Sequence, residues 1–161
     1  MNRKYAFLGL FSALAIILGY VESLFPVFIG IPGIKLGLAN LAVLFTLERY
    51  TWKEALIVSF IRIVVIGFLF GNMFSILYSL AGAVLSLAVM TFLKKKTGAS
   101  LLAVSMAGGI SHNVGQLLVA MAVVENLSLI YYAPALLISG IVTGFLIGCL
   151  TRETLKRIRL K

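Results

Sequence analysis

Arg62 is a charged residue in the middle of an apolar segment. It lies about nine residues from each end of the segment 54–71, and a rise of 1.5 Å per residue places it near the centre of a spanning helix. Inserting an arginine there costs about 2.5–3.5 kcal/mol, so such residues usually face a bundle interior and bind a polar partner. We interpret Arg62 as a candidate for holding an anionic group. The alternative is an arginine that bonds to backbone carbonyls and fixes helix packing.

The densest polar cluster runs from Gly108 to Gln116 and reads G-G-I-S-H-N-V-G-Q. His112 and Gln116 are four residues apart and share a helix face, with Asn113 beside them. Together they offer several hydrogen-bond donors and acceptors to one ligand. The alternative is hydrogen bonding between helices, with the glycines allowing close approach.

Three further residues are candidate substrate contacts. Lys35 and Asn40 follow Pro32-Gly33 at the start of a helix, where the positive end of the helix dipole favours an anion. Tyr131 lies just before the last apolar segment. The alternatives are a lysine whose amine reaches water at the membrane surface and an aromatic residue of the interfacial belt.

The sequence excludes several reactions. It contains no aspartate, one histidine and one cysteine, Cys149. Aspartate-rich magnesium sites of the prenyl-diphosphate synthase type and Ser/His/Asp catalysis are therefore absent, and a zinc site lacks ligands. No G-x-x-x-x-G-K-[ST] stretch is present for ATP hydrolysis. We predict no metal, no cofactor and no catalytic residue.

The elements that position these residues are membrane helices. Hydrophobic residues make up 61% of the 161 residues and charged residues 12%, whereas soluble domains are about half apolar and about a quarter charged. Segments of about 17 to 25 apolar residues span a bilayer. We predict an all-α polytopic protein with one transmembrane domain, 1–161, and six helices. They cover 4–24, 34–48, 54–71, 73–93, 99–124 and 134–151.

The basic residues predict the orientation of these helices. Twelve of the 14 lysines and arginines lie at the termini and in the two loops on the same side, which the positive-inside rule places in the cytoplasm. Both termini are then predicted to lie in the cytoplasm, and the protein is predicted to lie in the cell membrane. Because the charges occur in short blocks and not along one polar face, we predict no nucleic-acid partner.

Two features on and after the first helix predict contacts. The Pro/Gly-rich loop from Phe25 to Ile34 is a candidate lid over a binding site, with an ordinary interfacial connector as the alternative. Gly9 and Ala13 are small residues four apart, a spacing that lets another helix approach closely. Such pairs also serve packing inside a protein.

The strings Pro32 to Asn40, Ser79 to Gly82, Ser111 to Gln116 and Tyr131 to Pro134 are spread in order over nearly the whole chain. Together they resemble the Gx transporter family, also labelled heptaprenyl diphosphate synthase component I. That family is similar to the substrate-binding S components of energy-coupling factor (ECF) transporters, which have six helices and both termini inside. The resemblance implies an outward-facing pocket under the first loop. It also implies that Gly9 and Ala13 dock on a transmembrane coupling subunit driven by two ATPase subunits.

The leading hypothesis is a substrate-binding membrane subunit and not an enzyme. It captures a small anionic or amphipathic metabolite from outside, in contact with membrane lipid. One alternative is a non-catalytic membrane accessory of polyprenyl diphosphate or quinone metabolism. Another is a membrane subunit of a redox or electron-export assembly, for which His112 is the one candidate cofactor ligand.

Overall fold

The computed structural model describes residues 3–24 and 37–158, which form helices joined by short connections. Within this part of the chain there are six α-helices, one 3₁₀ helix and no strand, so the all-α prediction with six helices is confirmed there. The α-helices are α1 (Arg3–Leu24), α2 (Leu38–Arg49), α3 (Trp52–Phe70), α4 (Met73–Lys96), α5 (Leu101–Val124) and α6 (Ala133–Arg157), and the 3₁₀ helix (Leu127–Tyr132) precedes α6.

Two helices extend several residues beyond their predicted C-terminal ends. α4 continues to Lys96 and α6 to Arg157, past the predicted ends at 93 and 151. Both extensions are rich in basic residues, which the negative end of the helix dipole stabilises. Gly71 and Asn72 alone join α3 to α4, and Asn72 caps α4 by accepting a hydrogen bond from the Ser75 backbone at 2.8 Å.

The helices form two groups of three. α1, α2 and α3 pack on one another, α5 packs on both α4 and α6, and the contacts α3 with α4 and α2 with α6 join the groups. Glycine allows α5 its close approach to α6: a Cβ on Gly109 would lie 2.3 Å from the carbonyl oxygen of Gly140. Small residues therefore provide the packing between helices, as is common in membrane bundles.

α2 is the central helix of the bundle. Seven of its 12 residues are buried, including Leu44 and Phe45, and it is apolar on all sides, as expected of a helix surrounded by others. Its buried side chains form one cluster with Phe11, Val58 and Val104 from three other helices. At 1.5 Å per residue α2 is only about 18 Å long, so it fills part of the bundle length.

The two ends of the bundle have different chemistry. Arg49 donates a hydrogen bond to the carbonyl of Ile158 at 2.8 Å, and Lys4 pairs with Glu54 at 2.5 Å. These contacts bring the end of α2 to the end of α6 and the start of α1 to the start of α3. We call this the basic end. The opposite end, which contains the turn 71–72, is called the Asn72 end.

The outer surface of the bundle is apolar. Large side chains such as Phe68, Phe92, Leu118 and Ile138 are at least half exposed. In the described ranges, α1 from Lys4, α4, α5 and the segment 127–157 are long and apolar enough to cross a membrane. Such helices indicate a multi-pass membrane protein. α2 is too short by the same measure, and α3 carries three charged residues in its 19.

Candidate functional site

A cavity of about 190 Å³ lies between the two helix groups, and all six α-helices contribute to its wall. It occupies the half of the bundle nearer the Asn72 end, where the N-terminal end of α2 faces it through Asn40. We call it the polar cavity. Its polar lining residues are Glu22, Ser23, Asn40, Arg62, Ser75, Ser79, His112, Asn113, Gln116 and Thr143.

Arg62 lies in the wall of the polar cavity, half-way along α3. Its Nη2 donates a hydrogen bond to Oδ1 of Asn40 on α2 at 2.8 Å. Its Nε is buried and has no hydrogen-bond acceptor among residues 3–24 and 37–158. A buried donor without an acceptor is costly, so the guanidinium retains a hydrogen bond to offer to a molecule in the cavity.

Glu22 is a cavity residue that reasoning from the sequence missed. Its side chain is only 9% exposed, and its Oε1 accepts a hydrogen bond from the backbone N–H of Gly37. The carboxylate thereby lies at the start of α2, where the helix dipole favours negative charge. It is also close enough to act electrostatically on Arg62. The available signal was a carboxylate inside the apolar segment 4–24, the same kind of signal that identified Arg62.

His112 and Gln116 reach the polar cavity because α5 packs tightly on α4. A Cβ on Gly82 of α4 would lie 2.8 Å from the His112 carbonyl oxygen and 2.9 Å from Cγ of Gln116. Only glycine leaves room for this approach. Both side chains line the cavity with Arg62, and their spacing of four residues places them on one face of α5.

Asn113 combines the two interpretations of the polar cluster. It lines the polar cavity, and its Nδ2 also donates hydrogen bonds to the Leu136 carbonyl at 2.7 Å and to Oγ of Ser139 at 3.2 Å. Both acceptors belong to α6. Asn113 therefore links α5 to α6 and presents only part of its amide to the cavity.

The remaining predicted site features are Lys35, the candidate lid and Tyr131. Lys35 and the candidate lid from Phe25 to Ile34 lie outside the described residues. Tyr131 is 84% exposed on the 3₁₀ helix and does not line the polar cavity. Its neighbour Tyr132 lines a different pocket. Two adjacent residues of a helix point in different directions, and their positions along the chain do not show which of them lines a pocket.

The arrangement is suited to binding a polar group. Among the described residues, it combines one guanidinium, one carboxylate, amides, hydroxyls and an imidazole around one cavity. Within the described ranges, no three residues of the types His, Cys, Asp and Glu are grouped so that they could hold a metal ion.

The model of the family described as heptaprenyl diphosphate synthase component I matches residues 11–154. The chain belongs to this family. The match includes every polar residue of the cavity, from Glu22 to Thr143, and it confirms the resemblance found in the strings of the sequence. No curated protein and no solved structure matches the chain.

We expect Glu22 and Arg62 to be coupled energetically. Glu22→Gln and Arg62→Gln should each lower the free energy of unfolding, because each removes one of two opposite charges that interact inside an apolar bundle. The double variant should lose less than the sum, by about 0.5–3 kcal/mol. Reversible unfolding in mixed micelles measures the free energy of unfolding of the two single variants and of the double variant.

The matched control combines Arg62→Gln with Glu153→Gln, which removes an exposed carboxylate at the basic end. Those two losses should add. If the losses from Glu22→Gln and Arg62→Gln also add in their double variant, that result would contradict a direct electrostatic link across the cavity.

Proposed function

We propose that this chain is the substrate-binding membrane subunit of an ECF-type transporter, which captures a small anionic or amphipathic metabolite from outside the cell. The observation that supports this most directly is the polar cavity, which gathers Arg62, Asn40, His112 and Gln116 from three helices into one enclosed space. In an apolar bundle such a space is costly to keep empty, since polar groups removed from water need partners.

Arg62 supplies the attraction for an anionic group in this proposal. Its buried Nε and the positive end of the α2 dipole favour negative charge at the same place. Asn40 and Gln116 orient the bound group through their amides, and His112 adds a ring nitrogen. Lys35 and the loop from Phe25 to Ile34 also belong to the proposed site, and they lie outside the described residues.

The proposed orientation follows the basic end. All six helices cross the cell membrane, with both termini and the basic end in the cytoplasm, as the positive-inside rule requires. The short α2 and the charged α3 cross as part of the bundle, because their polar groups face protein and not lipid. The polar cavity then lies in the outer half.

This orientation predicts which loops are reached from outside. In a Cys149→Ser background, Ser128→Cys on the 3₁₀ helix should react with a membrane-impermeant maleimide on intact cells. Ser100→Cys, an exposed residue between α4 and α5, should react only after permeabilisation. Labelling in the reverse pattern would contradict the proposed topology.

A bound metabolite should leave with the purified protein. Mass spectrometry of what the denatured wild type releases is expected to detect a small molecule in near-stoichiometric amount. Arg62→Gln should release none, because it removes the charge that holds the anionic group. The control Arg152→Gln removes an exposed arginine at the basic end and should release the same amount as wild type.

The folded state of each variant is checked by its thermal unfolding before the released molecules are compared. A folded Arg62→Gln protein that releases the same molecule in the same amount would refute the assigned cavity.

The exposed face of α1 is the proposed docking surface for a transmembrane coupling subunit with two ATPase subunits. Gly9 and Ala13 are both exposed, and a Cβ added to Gly9 meets nothing within 4 Å. Small exposed residues four apart let a partner helix come close.

The double variant Gly9→Leu/Ala13→Leu should therefore fold normally and lose the partner. Co-purification from membranes followed by protein mass spectrometry measures this. Ala122→Leu, an equal enlargement on the exposed face of α5, should keep the partner. Capture of the coupling subunit and ATPases at wild-type levels by the double variant would contradict docking through α1.

The family description favours a second candidate function. A component of heptaprenyl diphosphate synthase would be a membrane accessory that helps a separate catalytic chain handle a polyprenyl product. The chain itself has no aspartate, the residue on which magnesium binding by such synthases depends. In the same co-purification, an aspartate-rich soluble synthase without ATPases would favour this accessory role.

A further inference from the structure

A second space lies directly beside the polar cavity. It has a volume of about 430 Å³ and is bounded by α4, α5, the 3₁₀ helix and the start of α6. Its wall is mostly apolar, with Tyr78, Leu117, Ala120, Val124 and Leu136 as the main contributors. We call it the apolar pocket.

The polar cavity and the apolar pocket meet at three residues. Ser75 and Ser79 on α4 and Gln116 on α5 line both spaces. The two serines are small, so the side chain of Gln116 is the largest group between the spaces. Gln116 is unbranched and has several rotatable bonds, so its side chain has other staggered rotamers to adopt between the two spaces.

One face of α5 runs through both spaces. His112, Gln116, Ala120 and Val124 follow one another at intervals of four residues, which keeps them on one side of the helix. His112 lines the polar cavity, Gln116 lines both spaces, and Ala120 and Val124 line the apolar pocket. The distance from His112 to Val124 along the helix is about 18 Å, and the chemistry of the face changes once, from polar to apolar.

We propose that the molecule bound here is an amphiphile, with a small anionic head in the polar cavity and an apolar tail in the apolar pocket. This rests on the proposed function, because it names the class of molecule that the site captures. Charge alone favours an anion only modestly, since Glu22 offsets the charge of Arg62 among the described residues. Burial of a tail adds up to about fourfold in affinity for each methylene group.

The test uses two series of probes with heads of the same charge type and tails of different length. Butyl phosphate and octyl phosphate form one series, and butanoate and octanoate the other. Each is titrated against the protein in lipid nanodiscs, and the signal from empty nanodiscs is subtracted. In at least one series, the eight-carbon probe should bind wild type at least about tenfold more tightly than the four-carbon probe.

Two matched substitutions on α5 separate the tail from the head. Ala120→Trp fills the apolar pocket and should abolish the gain from the longer tail while the four-carbon probe still binds. Leu118 lies on a neighbouring face of α5 and is 54% exposed. Leu118→Trp should therefore keep the gain in affinity from the longer tail. Arg62→Gln should weaken both tail lengths about equally. Ala120→Leu is a milder second filling variant, for which the gain should be reduced.

Equal affinity of wild type for the four-carbon and eight-carbon probes would overturn the proposal. This is the result expected if an acyl chain of the bilayer permanently fills the apolar pocket. A gain that survives in both folded Ala120 variants, or no binding in either series, would also overturn it. The proposed function fails separately, when wild type and Arg62→Gln release the same molecule after purification.

Discussion

A guanidinium held in the middle of an apolar bundle needs polar partners, and the other features of the site depend on how Arg62 obtains them. Asn40 accepts one of its hydrogen bonds, and the buried carboxylate of Glu22 offsets its charge. Both partners lie next to the start of α2, because Glu22 accepts the N–H of Gly37. The same few contacts therefore fix the α1–α2–α3 group and place a polar surface opposite α5. Because Nε remains without an acceptor among the described residues, the hydrogen bonding of this network is incomplete.

The length of α2 explains why the cavity lies where it does. Its 12 residues fill the centre of the bundle toward the basic end, where Phe45 packs against Phe11 with ring centroids 4.6 Å apart. Beyond its first turn no described helix occupies the centre, and the surrounding helices leave the polar cavity. The basic end is held by further polar contacts: Lys94 pairs with Glu48 at 3.2 Å and donates to a carbonyl of α2 at 2.7 Å. The tightly packed basic end and the polar cavity toward the Asn72 end are thus both consequences of one short central helix.

Much of this could be predicted from the sequence, since long apolar segments separated by turn residues leave few alternatives to a helical bundle. The association of Arg62 with His112 and Gln116 was also predictable, because depth follows from position along a segment and a shared face follows from spacing. Glu22 was missed since it lies near a segment end, where a carboxylate reaching water is ordinary. The apolar pocket carried no signal at all: Leu117 and Ala120 resemble any other helix residues, and the pocket depends on where the 3₁₀ helix lies. Features that arise from depth and periodicity are readable, whereas those that arise from the path of a connection are not.

α1 physically connects the two surfaces on which the proposed transport role depends. Glu22, near its last turn, contacts the start of α2 inside the polar cavity, and Gly9 and Ala13 lie exposed nearer its first turn. A helix is stiff over the roughly 14 Å between Ala13 and Glu22, so a shift of one surface displaces the other. The remaining faces of α1 pack on α2 and α3, which supply Asn40 and Arg62. The residues proposed to bind the charged head group therefore lie on or beside the same rigid helix that carries the proposed docking face, so α1 links the two proposed surfaces without a separate relay.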